Sequence, residues 1–406
     1  MKTKISKLRF KEFTDEWQEK KLGDVLSCVV DNRGKTPETS SSGIPLIEVN
    51  AMGTKKINYD VISKFVDDPT FKKWFRKHIT NGDILFSTVG KTAMCSLYDG
   101  SRKAAIAQNI VGLRVDSSNS TDFLYYLLIQ PQNNHKFKKI EMIAVQPSVK
   151  VSQMVHLKFS LPKKEEQEKI AKFLTAVDEK ITKLEEKKKG FEKYKKGATQ
   201  TIFSQKNRFK KENGENYLDW EEKKLGEVAF FYKGSGISKE ETSDRGEVEC
   251  IRYGELYTIY NEIIQNIKSR TNLNRNNLVL SQVNDVIIPS SGETSIDIAT
   301  ASCVLKNGVA LGGDLNIIRA KANGVFLSYY LNNCKKFDIA KLAQGNSVVH
   351  LYSSQLKKLV MNLPDTKEQD KIAEFLTALD NKINLINNQL EQVKLFKKSL
   401  LQQMFV

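Results

Sequence analysis

The sequence is poor in the residues that staple or metallate a fold. Its five cysteines, Cys28, Cys95, Cys250, Cys303 and Cys334, lie far apart with no CxxC pair, and there are only four histidines. That spacing argues against a disulfide framework or structural zinc and points to a reducing, cytoplasmic setting. No stretch approaches the roughly 18 uninterrupted apolar residues of a spanning helix, and the basic start MKTKISKLRF has no apolar run behind it. Neither membrane insertion nor a secretory leader is expected. Proline is scarce, eight in 406 residues and never adjacent, so the Asn/Asp-Pro-Pro-aromatic motif of amino-methyltransferases is missing. HExxH, GxSxG and clustered Cys/His ligands are missing too. Gly34-Lys35-Thr36 and Gly90-Lys91-Thr92 end like P-loops, yet the upstream glycine positions hold Val29 and Leu85. Catalysis by this chain alone is not expected.

Charge is plentiful and unbalanced. With 64 Lys+Arg against 48 Asp+Glu the formal net charge is +16, which makes a polyanion the first partner to consider, nucleic acid ahead of an anionic membrane face. The excess is uneven: residues 1–200 hold 37 Lys+Arg and 24 Asp+Glu, and the remainder hold 27 and 24. An apolar content of 40% is enough to fill real cores.

The decisive feature is an internal repeat. LPKKEEQEKIAKFLTAVDEKI from Leu161 returns as LPDTKEQDKIAEFLTALDNKI from Leu363, with about two thirds of the positions identical. WQEKKLGDV from Trp17 returns as WEEKKLGEV from Trp220, and FLYYLL at Phe123 is echoed by FLSYYL at Phe326. The chain is a unit of about 200 residues written twice. Arg9-Phe10-Lys11 precedes Trp17 as Arg208-Phe209-Lys210 precedes Trp220, and the latter group follows the first repeated helix directly. The linker matching the second helix therefore stands at the start of the chain. This order predicts neighbouring termini and a pseudo-circular arrangement about an approximate two-fold axis.

Within the repeat, apolar residues recur every seven positions. Ile170, Val177 and Leu184 with Leu174 and Ile181 form the seams of one copy. Ile372, Leu379, Ile386 and Val393 with Leu376, Ile383 and Leu390 form those of the other. Sustained heptads flanked by Lys and Glu predict coiled-coil packing, each helix of about 40 residues reaching about 60 Å, either as an antiparallel pair holding two globular domains apart or as two helices of one ordinary bundle. Lys188 and Lys195 interrupt one seam, which predicts a more exposed end there. Pro162 and Pro364, followed by acidic first turns (Glu165, Glu166 and Glu168; Asp365 and Glu368), mark the helix starts.

Between the helices lie short β-like runs, Ile44 to Val49, Asp83 to Thr88, Ile110 to Val115, Asp285 to Pro289 and Leu315 to Arg319, with short helices at Thr121 to Leu128 and Val325 to Leu331. Polar loops occupy equivalent places in the two copies. DNRGKTPETSSSG (31–43) matches KGSGISKEE (233–241), and STVGKT (87–92) matches SSGETS (290–295). Glycine lets such backbones approach a ligand closely, while Lys, Ser, Thr, Asn and Gln can bond phosphates or base edges.

These residues together resemble the DNA specificity subunit of type I restriction-modification systems. The resemblance rests on the two LP-headed KEEQEKIAKFLTAVDEKI and KEQDKIAEFLTALDNKI helices, the W-x-x-x-K-L-G-[DE]-V starts, RGKTP followed by GIPLI, and the late Gln146-Pro147-Ser148 and Gly345-Asn346-Ser347 segments. It covers essentially the whole chain. It implies an α+β fold in which two globular α/β target recognition domains are separated by two long antiparallel coiled-coil helices. The expected divisions are 1–162 (first recognition domain), 163–207 (first spacer helix), 208–364 (second recognition domain) and 365–406 (second spacer helix). It implies a bipartite, asymmetric double-stranded DNA target, two modification subunits, and restriction subunits with translocase and nuclease activity. S-adenosylmethionine, ATP and Mg are then expected on those partners, with none bound by this chain. Alternatives are the specificity subunit of a fused methyltransferase-nuclease system, or a non-catalytic coiled-coil adaptor.

No base contact is carried over from the family, so candidate DNA-binding residues come from loop chemistry. In the first domain they are Lys35, Thr36, Ser87, Thr88, Lys91, Gln108, Asn109, Ser148 and Lys150. In the second they are Lys233, Ser235, Arg252, Tyr253, Ser290, Ser291, Glu293, Thr294, Asn316, Asn346, Ser347 and His350.

Overall fold

The computed structural model describes residues 6–32, 34, 36–143, 145–345 and 348–406. It divides into two compact units, residues 1–186 with 388–406, and residues 187–387. The boundary cuts both long helices, Lys164–Phe203 and Thr366–Gln403, near their middles. The fold is α+β, and the two units are assembled from the same parts in the same order.

Each unit is closed by a two-stranded clasp made from the repeated motifs. Gln18–Lys21 pairs antiparallel with Lys158–Leu161, and Glu221–Lys224 pairs likewise with Val360–Leu363. Alternation puts Phe159 and Leu161, or Met361 and Leu363, into the core while their neighbours face outward, as a strand period of two requires. The glycine of each KLG motif sits where the chain passes close to this clasp. A β-carbon on Gly23 would lie 3.2 Å from the Val155 carbonyl oxygen, and one on Gly226 3.0 Å from that of Lys357.

Inside the first clasp, Leu26–Asp31, Ile110–Val115, Ile84–Ser87 and Cys95–Leu97 form an antiparallel sheet in that order. In the second unit the order is Ala229–Lys233, Leu315–Ala320, Asp285–Pro289, Ser302–Val304, with Ile263–Ile264 added in parallel. A three-stranded sheet accompanies each: Phe65–Val66, Ile44–Ile47 and Ala105–Ile106 in one, Ser269–Thr271, Val248–Ile251 and Ala310–Leu311 in the other. Central strands such as ILFS at Ile84–Ser87 and DVIIP at Asp285–Pro289 are buried throughout, which explains their continuous apolar runs. Several boundaries differ from the sequence reading. The strand expected at Asp83 to Thr88 spans Ile84–Ser87, and that from Leu315 continues to Ala320. The Ile44 strand stops at Ile47 because Val49–Ala51 turns into a 3-10 helix, and the helix expected at Val325 starts at Gly324 and passes after Tyr330 into a wider π turn, Leu331–Lys335.

The acidic first turn of each long helix does more than complement a helix dipole. Glu166, 2% exposed, accepts from Arg9 Nε and Nη2 (both 2.7 Å) and from the Trp17 indole (3.3 Å). Glu368, 0% exposed, does the same with Arg208 (3.2 and 2.8 Å) and Trp220 (3.3 Å). The following glutamine completes the junction: Gln167 accepts from the Ser120 backbone N–H and donates to the Pro162 carbonyl, and Gln369 does so with Asn323 and Pro364. These contacts fix each helix start to its own sheet domain.

Each unit also takes in the far end of the other copy's helix. Leu400, Met404 and Phe405 join Trp17 and Phe123 in the first core, and Ile202 joins Phe326, Ile372 and Leu376 in the second. The Leu8 backbone N–H donates to the Gln403 carbonyl at 2.9 Å, so the two ends of the chain run side by side, as the order of the repeat requires. The helix segments are antiparallel within each unit: Asp178 pairs with Lys397 and Glu185 with Lys394 in the first, Asp380 with Lys195 in the second.

Of the heptad residues, Ile170, Leu174, Val177, Leu184, Ile372, Leu376, Leu379, Ile383, Ile386 and Leu390 are buried, and Ile181 and Val393 are half-buried. Lys195 departs from the expectation of an exposed end. It is half-buried, 2.6 Å from Asp380, and lies over the Tyr329 ring, where Tyr329 also donates to Asp380. The first unit repeats this triad as Lys397, Asp178 and Tyr126 (2.7 Å). Burial pushes both tyrosine hydroxyls upward in pKa, with the neighbouring aspartate adding to the shift, so both remain donors. None of the helices in the described residues is long and apolar enough to cross a membrane.

Candidate nucleic-acid interface

In the first unit one end of the four-stranded sheet gathers the polar loops. Asp31 opposes Val111 and Ser87 opposes Ile110, so the segments after Asp31, after Ser87 and before Ile110 leave the sheet together. Backbone bonds knit them to Pro147 and Val149. Thr88 N–H donates to Asn109 O (2.8 Å), Val149 N–H to Thr88 O (2.8 Å), and Gly90 N–H to Pro147 O (2.8 Å). Gly90 holds φ +78°, a left-handed value that glycine adopts at no cost.

Ser87, Thr88, Lys91, Gln108, Asn109, Ser148 and Lys150 are thereby brought together. Their side chains divide into two groups. Ser87, fully buried, donates to the Lys91 carbonyl and accepts from Met94 N–H, and the Thr88 hydroxyl donates to the Asn109 carbonyl, so both close the turn. Lys91, Gln108 and Lys150 are exposed, Ser148 and Asn109 half-buried, and the Asn109 side-chain oxygen Oδ1 is shielded with no partner among the described residues. Thr36 is exposed in the first loop, while Lys35 lies outside the described residues. Sequence reasoning passed over Thr92, whose hydroxyl donates to Glu141, itself paired with Lys138 at 2.9 Å. These bonds hold the Glu141 carboxyl below its ordinary range, the Thr92 hydroxyl first and Lys138 next.

The second unit gathers the matching loops by the same geometry. Lys233 opposes Asn316 and Pro289 opposes Leu315, so the segments after Lys233, after Pro289 and before Leu315 share one end of the sheet. Gly234 is demanded by close approach, since a β-carbon there would lie 2.0 Å from the Gly312 carbonyl oxygen. Ser291–Gly292 pairs with Val349–His350, which brings His350 beside Ser291. Asn316, 2% exposed, bridges the Leu351 carbonyl (2.9 Å) and the Ser353 hydroxyl (2.8 Å). Thr294 caps the turn at Ser295–Ile298 through Asp297. Ser290 and Ser291 are buried, and Ser235 is half-buried with its hydroxyl directed at the Asn277 carbonyl (3.4 Å).

Lys233, Glu293, Thr294 and His350 are exposed, and Arg252 and Tyr253 half-buried beside the glycine crossing. Asn346 and Ser347 lie outside the described residues. Tyr352, absent from the sequence-derived set, stacks near His350 (centroids 6.2 Å, interplanar angle 21°), and Tyr257 lies near Tyr253. The signal available for both was an aromatic within four residues of a candidate. The first loop end thus presents cationic, amide and hydroxyl groups, and the second cationic, hydroxyl and aromatic groups, on a buried β scaffold, chemistry that bonds phosphates and base edges. Among the described residues no group of three or more His, Cys, Asp or Glu side chains converges as a metal site.

Comparison with known proteins agrees with this architecture. The chain is 27% identical over 411 residues to a protein assigned as the type I restriction enzyme MjaX specificity subunit of Methanocaldococcus jannaschii, covering 98% of this chain and 94% of that relative. It is 25% identical over 413 residues to the type I restriction enzyme MjaVIII specificity subunit of the same organism, covering 95% and 91%. A solved structure of the type I restriction-modification S subunit from M. genitalium superposes with a TM-score of 0.62 at 16% identity, covering 99% of both chains, which shows the shared fold. The family described as the type I restriction modification DNA specificity domain matches residues 14–190 and 217–395, one match per copy of the repeat, and the chain belongs to that family of specificity subunits.

Proposed function

We propose that this chain reads a split, asymmetric sequence in double-stranded DNA and positions two modification subunits and further restriction subunits upon it. The observation that carries the proposal is the pair of equivalent loop ends on a duplicated frame. The frame agrees down to Glu166 and Glu368, while the loops differ in nearly every side chain. One reader per half-site explains why the readers diverge, and two identical partner subunits explain why the frame does not.

Lysines such as Lys91, Lys150 and Lys233 neutralise phosphates and release counterions, a salt-dependent and sequence-blind affinity. Side chains reaching major-groove edges add discrimination, about 1–3 kcal/mol for each good bidentate contact. The long helices set the distance between half-sites. S-adenosylmethionine, ATP and Mg belong to the partner subunits in this reading, and the five free thiols suit work in the cytoplasm. Mapping methylated adenines across the genome with and without this chain tests the proposal. A bipartite methylated motif that vanishes with the chain is expected; an unchanged methylation pattern would overturn it.

A further inference from the structure

Arg252 follows the strand Val248–Ile251 and stands beside the loop crossing, because Gly312 N–H donates to the Ile251 carbonyl and Gly313 N–H to that of Gly236. The guanidiniums of Arg9, Arg114, Arg208, Arg270 and Arg319 donate hydrogen bonds within the protein. Among the described residues those of Arg76, Arg102, Arg245, Arg252 and Arg275 donate none, and of these only Arg252 has its Nε shielded from water. A buried donor without an acceptor is costly, so this Nε is a donor site for which the described residues supply no acceptor.

It is also aimed. Glu255, 3% exposed, accepts from the Arg252 backbone N–H at 2.9 Å, receives the Ser269 hydroxyl, and lies 3.7 Å from Arg252 Nη2. One carboxylate therefore orients the arginine without saturating its fork. The surroundings select among acceptors. The Glu240 carboxyl, held low by its own backbone N–H and by Ser238, also feels Lys239 and then Arg252. Glu240 and Glu255 thus offset the Lys239 and Arg252 charges, which leaves no net positive charge for a phosphate to meet. A neutral planar edge with two acceptors needs none, and the O6/N7 edge of guanine matches the arginine fork.

We infer that Arg252 reads a guanine in the half-site of the second recognition domain, with Glu255 as its positioning residue. The inference rests on the proposed DNA-reading function. It belongs to one reader only. By the parallel pairings Ile47↔Ile106 and Ile251↔Leu311, the equivalent position in the first unit is Glu48, which is engaged by Lys64 at 2.8 Å.

The test is duplex binding by the assembled complex, with each guanine of the target replaced in turn by 7-deazaguanine, which lacks the N7 acceptor. One position should lose about 5-fold in affinity with the unaltered chain, and Arg252→Ala should abolish that sensitivity. Discrimination between guanine and adenine there should fall about 5- to 150-fold. Arg252→Lys, which keeps the charge opposite Glu255, should lose the same discrimination while retaining sequence-blind binding. Uniform weakening on every duplex with the 7-deazaguanine pattern intact, or full discrimination by Arg252→Lys, would overturn the inference. If the unaltered complex shows no sequence preference, the underlying DNA-reading proposal falls with it.

Discussion

In the first unit Glu166 joins Arg9 and Trp17, and in the second Glu368 joins Arg208 and Trp220 with the same donors. At the loop ends the correspondence stops: Glu48 is paired with Lys64 where Arg252 stands beside Glu255 with an unbonded Nε, and a Thr92–Glu141–Lys138 chain ties down a loop whose counterpart carries Glu293 and a Thr294 cap. The difference teaches that one chain holds two kinds of constraint. Residues joining sheet to helix must agree in both copies because the same geometry is built twice, whereas the loop residues close no such junction and differ; in the proposed function each set meets its own half-site.

The comparison can be broken at the frame or at the readers. The largest effect is expected from lengthening the frame. Four residues inserted after Glu186 and four after Asn387 add about 6 Å to each helix, close to two base pairs at about 3.4 Å each. Methylation mapping should return both half-sites intact with a longer spacer; an unaltered motif would refute the role of the helices as a ruler. Next come the buried carboxylates. Glu166→Ala and Glu368→Ala each leave a half-buried arginine and an indole N–H without their carboxylate, costing about 1–3 kcal/mol in denaturant unfolding, and the two losses should agree. A large cost in one copy alone would mean the junctions are equivalent in shape and not in energy. Smaller still, Tyr126→Phe and Tyr329→Phe remove one hydrogen bond to Asp178 or Asp380 and should each cost about 1 kcal/mol.

How much of this was legible beforehand depended on distance along the chain. The helices, their seams, the duplicated order and the adjacent termini follow from periodicity and repetition, which are properties of local sequence. The partners of Glu166 and Lys195 were not legible. Arg9 and Asp380 lie over 150 residues away from them, and the pattern of a seam lysine is the same whether it faces water or a buried aspartate. Ser87 and Asn316 show a second limit. A hydroxyl or amide that closes a loop and one that meets a ligand look alike in sequence, and only burial separates them.

The smallest expected effect is confined to the first reader. Because the folded Glu141 carboxyl titrates below the ordinary 4.5, its contribution is complete above that value and is lost as the pH falls through the lowered folded value. Hydrogen exchange in residues 88–94 should therefore quicken below about pH 4.5, with no matching change in residues 290–295. Thr92→Val should produce the same quickening at neutral pH.

The central claim, two interchangeable readers on one repeated frame, is tested most directly by exchange. Residues 18–160 are replaced with residues 221–362, so that the second reader occurs twice, and methylated adenines are mapped in cells making the chimera. The account predicts a new symmetric target in which both halves match the one read by the second domain. Retention of the original asymmetric target by a folded, assembled chimera would contradict it.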